Sequence, residues 1–338
     1  MRSGIAALAA IFIAAGSAPV STTPAWAQKA GGTLKITHRD NPPSASIHEE
    51  STISVNQPFM GVFNNLVFFD PKEKVNSPDH IVPELAESWA WNDDRTRLTF
   101  KLRQGVKWHD GKPFSAADVK CTMDLLQGTA PENFKVNFRK GWYANVESVT
   151  ANGESEAVFK LKAPQPALLG LLASGFSPIY PCHVGPREMR QAPVGTGPFK
   201  FVEYKPNQTI KVTRNASYWK PGKPYLDGVE YTIIPNRSTA ILAFQSNKFD
   251  MIFPFEVTVP LVGDIKANRP DAVCETAPMN VAANILMNPN PPFDDIEVRR
   301  AVAMALDRKA FRDIMTSGTG DAGSSISRVR YPRREGGT

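Results

Sequence analysis

The segment Val106–Lys120, VKWHDGKPFSAADVK, sets a histidine beside an aspartate and a glycine, a group that could form half of an acid–base or metal site. Neighbouring side chains on an extended strand point to opposite faces, whereas a catalytic pair must lie within hydrogen-bond reach. The spacing fits a bend better. Asp110-Gly111 has turn chemistry, and Lys112-Pro113 keeps the chain extended. Ser115 with Asp118 three residues on makes a capping box behind Phe114 as hydrophobic staple. Val119, Met123 and Leu126 would carry the buried face of the helix that follows. Trp108, His109, Asp110, Gly111, Ser115 and Asp118 are therefore read as structural, and no residue is assigned a catalytic role.

Gly195-Thr196-Gly197-Pro198-Phe199 invites comparison with a phosphate cradle, but no Lys-Ser/Thr follows and a strand pattern begins where a helix should start. Gly195, Gly197 and Pro198 read as turn-shaping residues. The five histidines, at 38, 48, 80, 109 and 183, show no i,i+4 pair, and Cys121, Cys182 and Cys274 form no C-x-x-C. No metal site and no cofactor are expected. In an oxidising compartment Cys121–Cys182 is the preferred disulfide, with three buried thiols as the alternative. Trp142-Tyr143 reads as core or as a ligand wall, with core favoured.

The elements that must position these residues follow from periodicity. The first 27 residues have a positive start, an apolar run from Ile5 to Ala15 and a small-x-small pattern at Ala25-Trp26-Ala27, as in a secretory signal peptide; an uncleaved anchor is the alternative. The charge of +6 is interleaved with acidic residues, so a nucleic-acid partner, which would want a clustered basic face, is not expected. GGTLKITHR (31–39) reads as a first strand and 40–54 as a loop. Helices are expected at 56–65, 115–127, 165–173 and 238–247, the last capped by Ser238 and leading into a strand FDMIF. Hairpins are expected over 83–111, 146–162 and 195–215, with another strand at 225–235. Over 293–315, Asp294 and Glu297 suggest a capping box, Val298, Ala301, Val302, Ala305 and Leu306 an apolar stripe, and Asp307 a second cap. This irregular mixture argues an α/β or α+β chain with mixed sheets.

WHDGKPFSAADV (108–119) resembles the hallmark of solute-binding protein family 5 of ABC importers, the peptide, oligopeptide and nickel binders. PELAESW (83–89) is similar to the family's preceding segment, and PVGTGPFKFVEYKPNQTIKVTRNASYWK (193–220) to its second signature. YLDGVEYTIIPNRSTAILAFQSNKFDM (225–251) and PPFDDIEVRRAVAMALDRK (291–309) are similar to its third and fourth. Asn215-Ala216-Ser217 fits a glycosylation pattern, but within that signature it reads as structural.

The resemblance implies an α/β (mixed α+β) chain with a class II periplasmic-binding-protein-like two-lobe fold, an extra subdomain and an incomplete second lobe. Expected bounds are a signal peptide 1–27, lobe I from 28–55 and 186–235, and an inserted subdomain 56–185. A truncated start of lobe II at 236–323 and an unstructured atypical tail at 324–338 complete the division. It implies a periplasmic, monomeric binding component that captures a peptide or similar small solute between its lobes and delivers it to an inner-membrane permease. Arg39, Asn41 and Ser51, in the loop after the first strand, are the ligand-contact candidates, with Trp142 as an aromatic wall. Alternatives are the same scaffold holding a nickel chelate, an opine or a sugar, and an inactive truncated fragment. An exported enzyme lacks any convergent nucleophile, base and oxyanion site in the sequence.

Overall fold

The computed structural model describes residues 30–275 and 285–318; the expected signal peptide and the tail at 324–338 lie outside the described residues. The chain begins with β1 (Thr33–His38), α1 (Ile53–Phe59), β2 (Val67–Phe69), β3 (Ile81–Pro83), β4 (Ala86–Trp91) and β5 (Arg97–Leu102). Then come α2 (Ala116–Gln127), β6 (Val146–Asn152), β7 (Glu156–Leu161), α3 (Leu168–Ala173) and α4 (Pro186–Met189). After β8 (Phe199–Lys205), β9 (Thr209–Arg214) and β10 (Gly228–Ile233), the remaining described elements are helical. They are α5 (Arg237–Gln245), α6 (Val259–Asn268), α7 (Ile296–Ala305) and α8 (Arg308–Thr316).

Two four-stranded sheets carry the structure. One has the order β1-β10-β9-β8, with β1 parallel to β10 and the rest antiparallel; the other, β4-β5-β7-β6, is antiparallel throughout. The alternation of Leu98, Phe100 and Leu102 explains the second sheet. All three are fully buried, and Leu98 and Phe100 register opposite Phe159 and Ala157. The Phe100 and Phe159 rings meet edge to face at 5.4 Å. Each such side chain contributes about 1.5–3 kcal/mol on burial, against roughly 1–2 kcal/mol of backbone entropy per residue ordered. At the β6–β7 turn Gly153 takes a φ of 63°, which it adopts without a Cβ penalty.

Helix α2 packs on β6 and β7. Its cap is the expected pair: Asp118 accepts the Ser115 N–H at 2.9 Å, and Gly128 ends the helix in the left-handed region. Phe114, Val119, Met123 and Leu126 are buried in the same cluster, which runs without a break from Ile36 to Tyr231 and joins both sheets.

Several sequence expectations need correction. Residues 44–49 of the expected loop are buried, and Arg139 reaches across from the segment after α2 to donate to the carbonyls of Ile47, His48 and Glu50. α1 starts at Ile53, ahead of the expected 56. α5 is capped by Asn236, whose Oδ1 accepts the Thr239 N–H at 2.9 Å, so Ser238 already lies within the helix. FDMIF forms only one parallel bridge, Ile36 with Met251. The Asp250 carboxylate takes the Lys35 N–H and the Thr37 hydroxyl takes the Phe253 N–H, so side chains replace ladder partners. α7 is capped by Asp295, since Asp294 spends its carboxylate on the Asp295 N–H. The stripe from Val298 to Leu306 has no buried member.

Cys121 on α2 is bonded to Cys182, with Cα atoms 5.6 Å apart and a sequence separation of 61. Closing a loop of that length restricts the unfolded chain by about 4 kcal/mol in the chain-entropy model. The double variant Cys121→Ser/Cys182→Ser is expected to lose stability of that order in urea unfolding, while Cys274→Ser stays within about 1 kcal/mol of the parent.

Candidate functional site

The motif residues build a seam between the two sheets. The bend closes through Trp108 N–H to Lys112 O and Gly111 N–H to Trp108 O, both at 2.8 Å, with Gly111 at a φ of 91°. His109 then docks on the GTG turn. Its N–H donates to Gly195 O at 2.9 Å, its Nδ1 accepts the Gly195 N–H at 3.3 Å, and its Nε2 donates to Gly197 O at 3.0 Å. Only a neutral imidazole protonated on Nε2 fits both ring contacts. Burial pushes its pKa down to about 4, the Gly197 carbonyl opposes that shift, and the Lys200 charge adds to it.

Asp110 turns the other way. Its Oδ2 lies 2.6 Å from His183 Nε2 and its Oδ1 accepts the Lys112 N–H. His109 and Asp110 therefore serve separate partners and make no dyad. Among the described residues no group of three or more His, Cys, Asp or Glu side chains could hold a metal ion.

Gly195 and Gly197 are needed for close approach. A Cβ on Gly195 would fall 1.8 Å from Val62 O, and one on Gly197 2.5 Å from the Val62 carbonyl carbon. The Gly197 N–H donates to Val62 O at 2.9 Å, and Pro198 O accepts the Asn215 N–H at 2.8 Å. Asn215 is 3% exposed, and its Nδ2 donates to Gly197 O, so the glycosylation pattern lies inside the seam. Behind the turn, Asn64 Oδ1 accepts from Thr196 Oγ1 and Trp219 Nε1, and Asn64 Nδ2 donates to Glu84, which also pairs with Lys220. Asp118 closes the seam from α2: besides Ser115 it accepts from Trp108 Nε1 at 3.4 Å and from the Cys182 N–H at 2.9 Å.

The four ligand-contact candidates do not converge. Arg39 is half-exposed at the end of β1, its guanidinium 5.4 Å from the Phe253 ring and its Nε 3.4 Å from Asp40 Oδ2. Asp40 also accepts from Ser54 Oγ at 2.9 Å and keeps its side chain 47% exposed. Asn41 is committed to the β8–β9 turn: its Nδ2 donates to Asn207 Oδ1 at 2.6 Å and its Oδ1 accepts the Asn207 N–H. Ser51 is exposed just ahead of the α1 cap Thr52.

Trp142 is half-buried, with Arg139 Cζ 5.6 Å from its ring. Arg139 itself is 3% exposed and donates to Ile47 O, His48 O and Glu50 O. Trp142 thus sits behind the loop that carries Ser51. A shallow concavity of ≈350 Å³ on the outer face of the second sheet, lined among others by Arg97, Thr150 and Lys160, includes none of the four.

Sequence reasoning missed Asp40, Ser54, Asn64, Arg139 and His183. Asp40 carried a signal, as the acidic neighbour of a named candidate at a strand end. Arg139 carried none, because its carbonyl partners lie about ninety residues away.

Residues 80–334 match the model of the bacterial extracellular solute-binding proteins, family 5 middle. The heme-binding protein A of Haemophilus influenzae is 31% identical over 293 residues, which are 79% of this chain and 51% of that relative. The oligopeptide-binding protein AppA of Bacillus subtilis, solved with a nonapeptide, superposes with a TM-score of 0.71 at 27% identity, over 87% of this chain and 57% of that one. MoaA of A. tumefaciens R10, solved with mannopinic acid, gives 0.72 at 27% identity, over 86% and 58%. The chain spans about half the length of the curated relatives it matches.

Two predictions follow from the seam. Asp118→Asn turns an amide donor into a ring of three donors and is expected to cost about 2–4 kcal/mol in urea unfolding. The second concerns pH. His38 and His109 are held down to about 4 and His48 to about 3, in each case chiefly by burial, against an ordinary value of 6.5. Below pH 6.5 the unfolded chain therefore binds more protons than the folded one. Their contribution is complete above 6.5 and is lost as pH falls toward 4, by up to about 1.4 kcal/mol per pH unit for each group. A melting temperature falling steeply from pH 7 to 4.5, and less steeply in His109→Gln, is the expected result.

Proposed function

Because the chain belongs to family 5 of the bacterial extracellular solute-binding proteins, we propose that it serves solute capture for an ABC importer and makes or breaks no bond. The family match over residues 80–334 is the observation that carries this reading. The relatives named above are binding proteins, and the seam gives His109 and Asp110 structural partners in place of a substrate.

In this reading 28–55 and 186–235 belong to lobe I, 56–185 to its inserted subdomain, and residues from 236 to the second lobe. The chain is exported by its first 27 residues, acts in the periplasm as a monomer and meets an inner-membrane permease. A ligand that touches both lobes favours their closed arrangement by its differential contacts. The end of β1 is the contact region on lobe I. Arg39 and Asp40 offer a cation and an anion side by side, each partly exposed, and Ser51 stands exposed nearby in sequence. Asn41 and Trp142 support the loop from behind, through Asn207 and Arg139.

The ligands named for those relatives, a nonapeptide, mannopinic acid and heme, span three chemistries. A peptide is favoured, since its backbone donors and acceptors would satisfy polar groups that are costly to leave unpaired in a closed cleft.

Thermal-shift measurements on the full chain against di- to nonapeptides, opines, heme, nickel chelates and sugars test the reading. A rise of melting temperature with one class is expected, and Arg39→Ala should weaken that ligand about tenfold, the worth of one charge-assisted hydrogen bond. Turnover of a peptide or ester substrate would contradict it.

A further inference from the structure

The segment between β1 and α1 passes through the interior without forming a helix or a strand. Residues 44–49 are buried, and the chain returns to the surface at Ser51. Backbone polar groups in such a stretch need partners from elsewhere in the chain. Arg139, in the segment after α2, takes three of its carbonyls at once. Its Nη1 donates to Ile47 O at 2.7 Å and His48 O at 3.3 Å, and its Nη2 donates to Glu50 O at 2.7 Å. The residue is 3% exposed, and its Cζ lies 4.4 Å from the Phe176 ring and 5.6 Å from that of Trp142.

Other contacts confine the same stretch. His48 Nε2 donates to Pro178 O at 2.7 Å. Glu49 Oε1 accepts the Lys135 N–H at 2.6 Å and Arg190 Nη1 at 2.8 Å. Ser44 Oγ donates to Glu50 Oε1 at 2.9 Å, across the neck of the loop. Arg139 differs from these in gripping the backbone on both sides of Glu49.

Burying a cation costs desolvation, and its presence is weak evidence of stability. What the planar fork supplies is geometry. Glu50 O, which the fork holds, belongs to the peptide that leads into Ser51, so the clamp sets where Ser51 emerges. The far end of the loop returns to the end of β1, where Ser54 Oγ donates to Asp40 at 2.9 Å. We infer that Arg139 is a positioning residue for solute capture. It holds the backbone of 47–50 so that Ser51 and Asp40 meet the solute in one arrangement, and it does not touch the solute itself. This rests on the reading that the end of β1 and Ser51 contact the solute.

Two readouts separate positioning from support of the fold. A nitroxide on Ser51→Cys in a Cys274→Ser chain, attached without reductant so that the Cys121–Cys182 bond stays closed, reports loop motion by its spin-resonance line shape and needs no solute. Calorimetric titration with trialanine, mannopinic acid and heme, well below the melting temperature of each variant, reports capture. A lysine at 139 keeps the charge but has one nitrogen where the fork has two. Arg139→Lys should therefore sharpen the nitroxide spectrum and weaken whichever probe the parent binds by about tenfold or more. Trp142→Leu removes a ring beside the fork and should act in the same direction by less. Leu98→Ala, inside the second sheet and fully buried, should lower the urea midpoint and leave both readouts as in the parent.

An unchanged affinity or an unchanged nitroxide spectrum in Arg139→Lys would overturn the proposal. So would a Leu98→Ala chain that loses the probe equally, since capture would then follow global stability. Should Arg139→Lys fail to fold, weaker capture and a sharper spectrum in Trp142→Leu are the required result. A parent chain that binds none of the three probes would instead sink the solute reading, and the part of Arg139 in capture with it, whatever the spectra show.

Discussion

A single buried carboxylate sets the terms for the rest of the structure. Asp118 is 5% exposed and collects N–H groups from the bend at Trp108, the start of α2 at Ser115 and the segment at Cys182. A buried carboxyl group in that position is tolerable only while its donors stay in place. The requirement fixes where the helix begins, how the tryptophan ring lies and where the disulfide partner arrives. The GTG turn adds the complementary demand, a backbone so close to Val62 that no side chain fits between them. Together they join the two four-stranded sheets in one core.

What could be read from the sequence was what is local. The turn at Asp110-Gly111, the pair Ser115–Asp118 and the alternation in β5 depend on neighbours within a few residues, and all stand as the spacing suggests. What could not be read was long-range satisfaction. The stretch 40–54 has loop composition, but Arg139 pays the hydrogen-bonding cost of burying its centre, and no local pattern reveals that. Helix caps slipped by a residue or two for another reason: Asp294 and Asp295, or Asn236 and Ser238, are chemically competent alternatives, and the backbone path selects between them. The apolar stripe on α7 has the correct period, but periodicity states which side is greasy, not what meets it.

The candidate site follows the same division. Arg39 was reachable from its place at the end of the first strand. Its neighbour Asp40 matters as much because Ser54 holds it in position from the start of α1, and that contact depends on the fold of the intervening loop.

The burial of Asn215 has a practical consequence. Its amide nitrogen is bonded to Gly197 O in the interior, yet the tripeptide around it is one that eukaryotic secretory cells modify while a nascent chain is still open. A sugar attached there before folding would occupy the space the turn must enter. Production through a yeast or mammalian secretion route would thus work against the fold, whereas a bacterial host would not meet this obstacle.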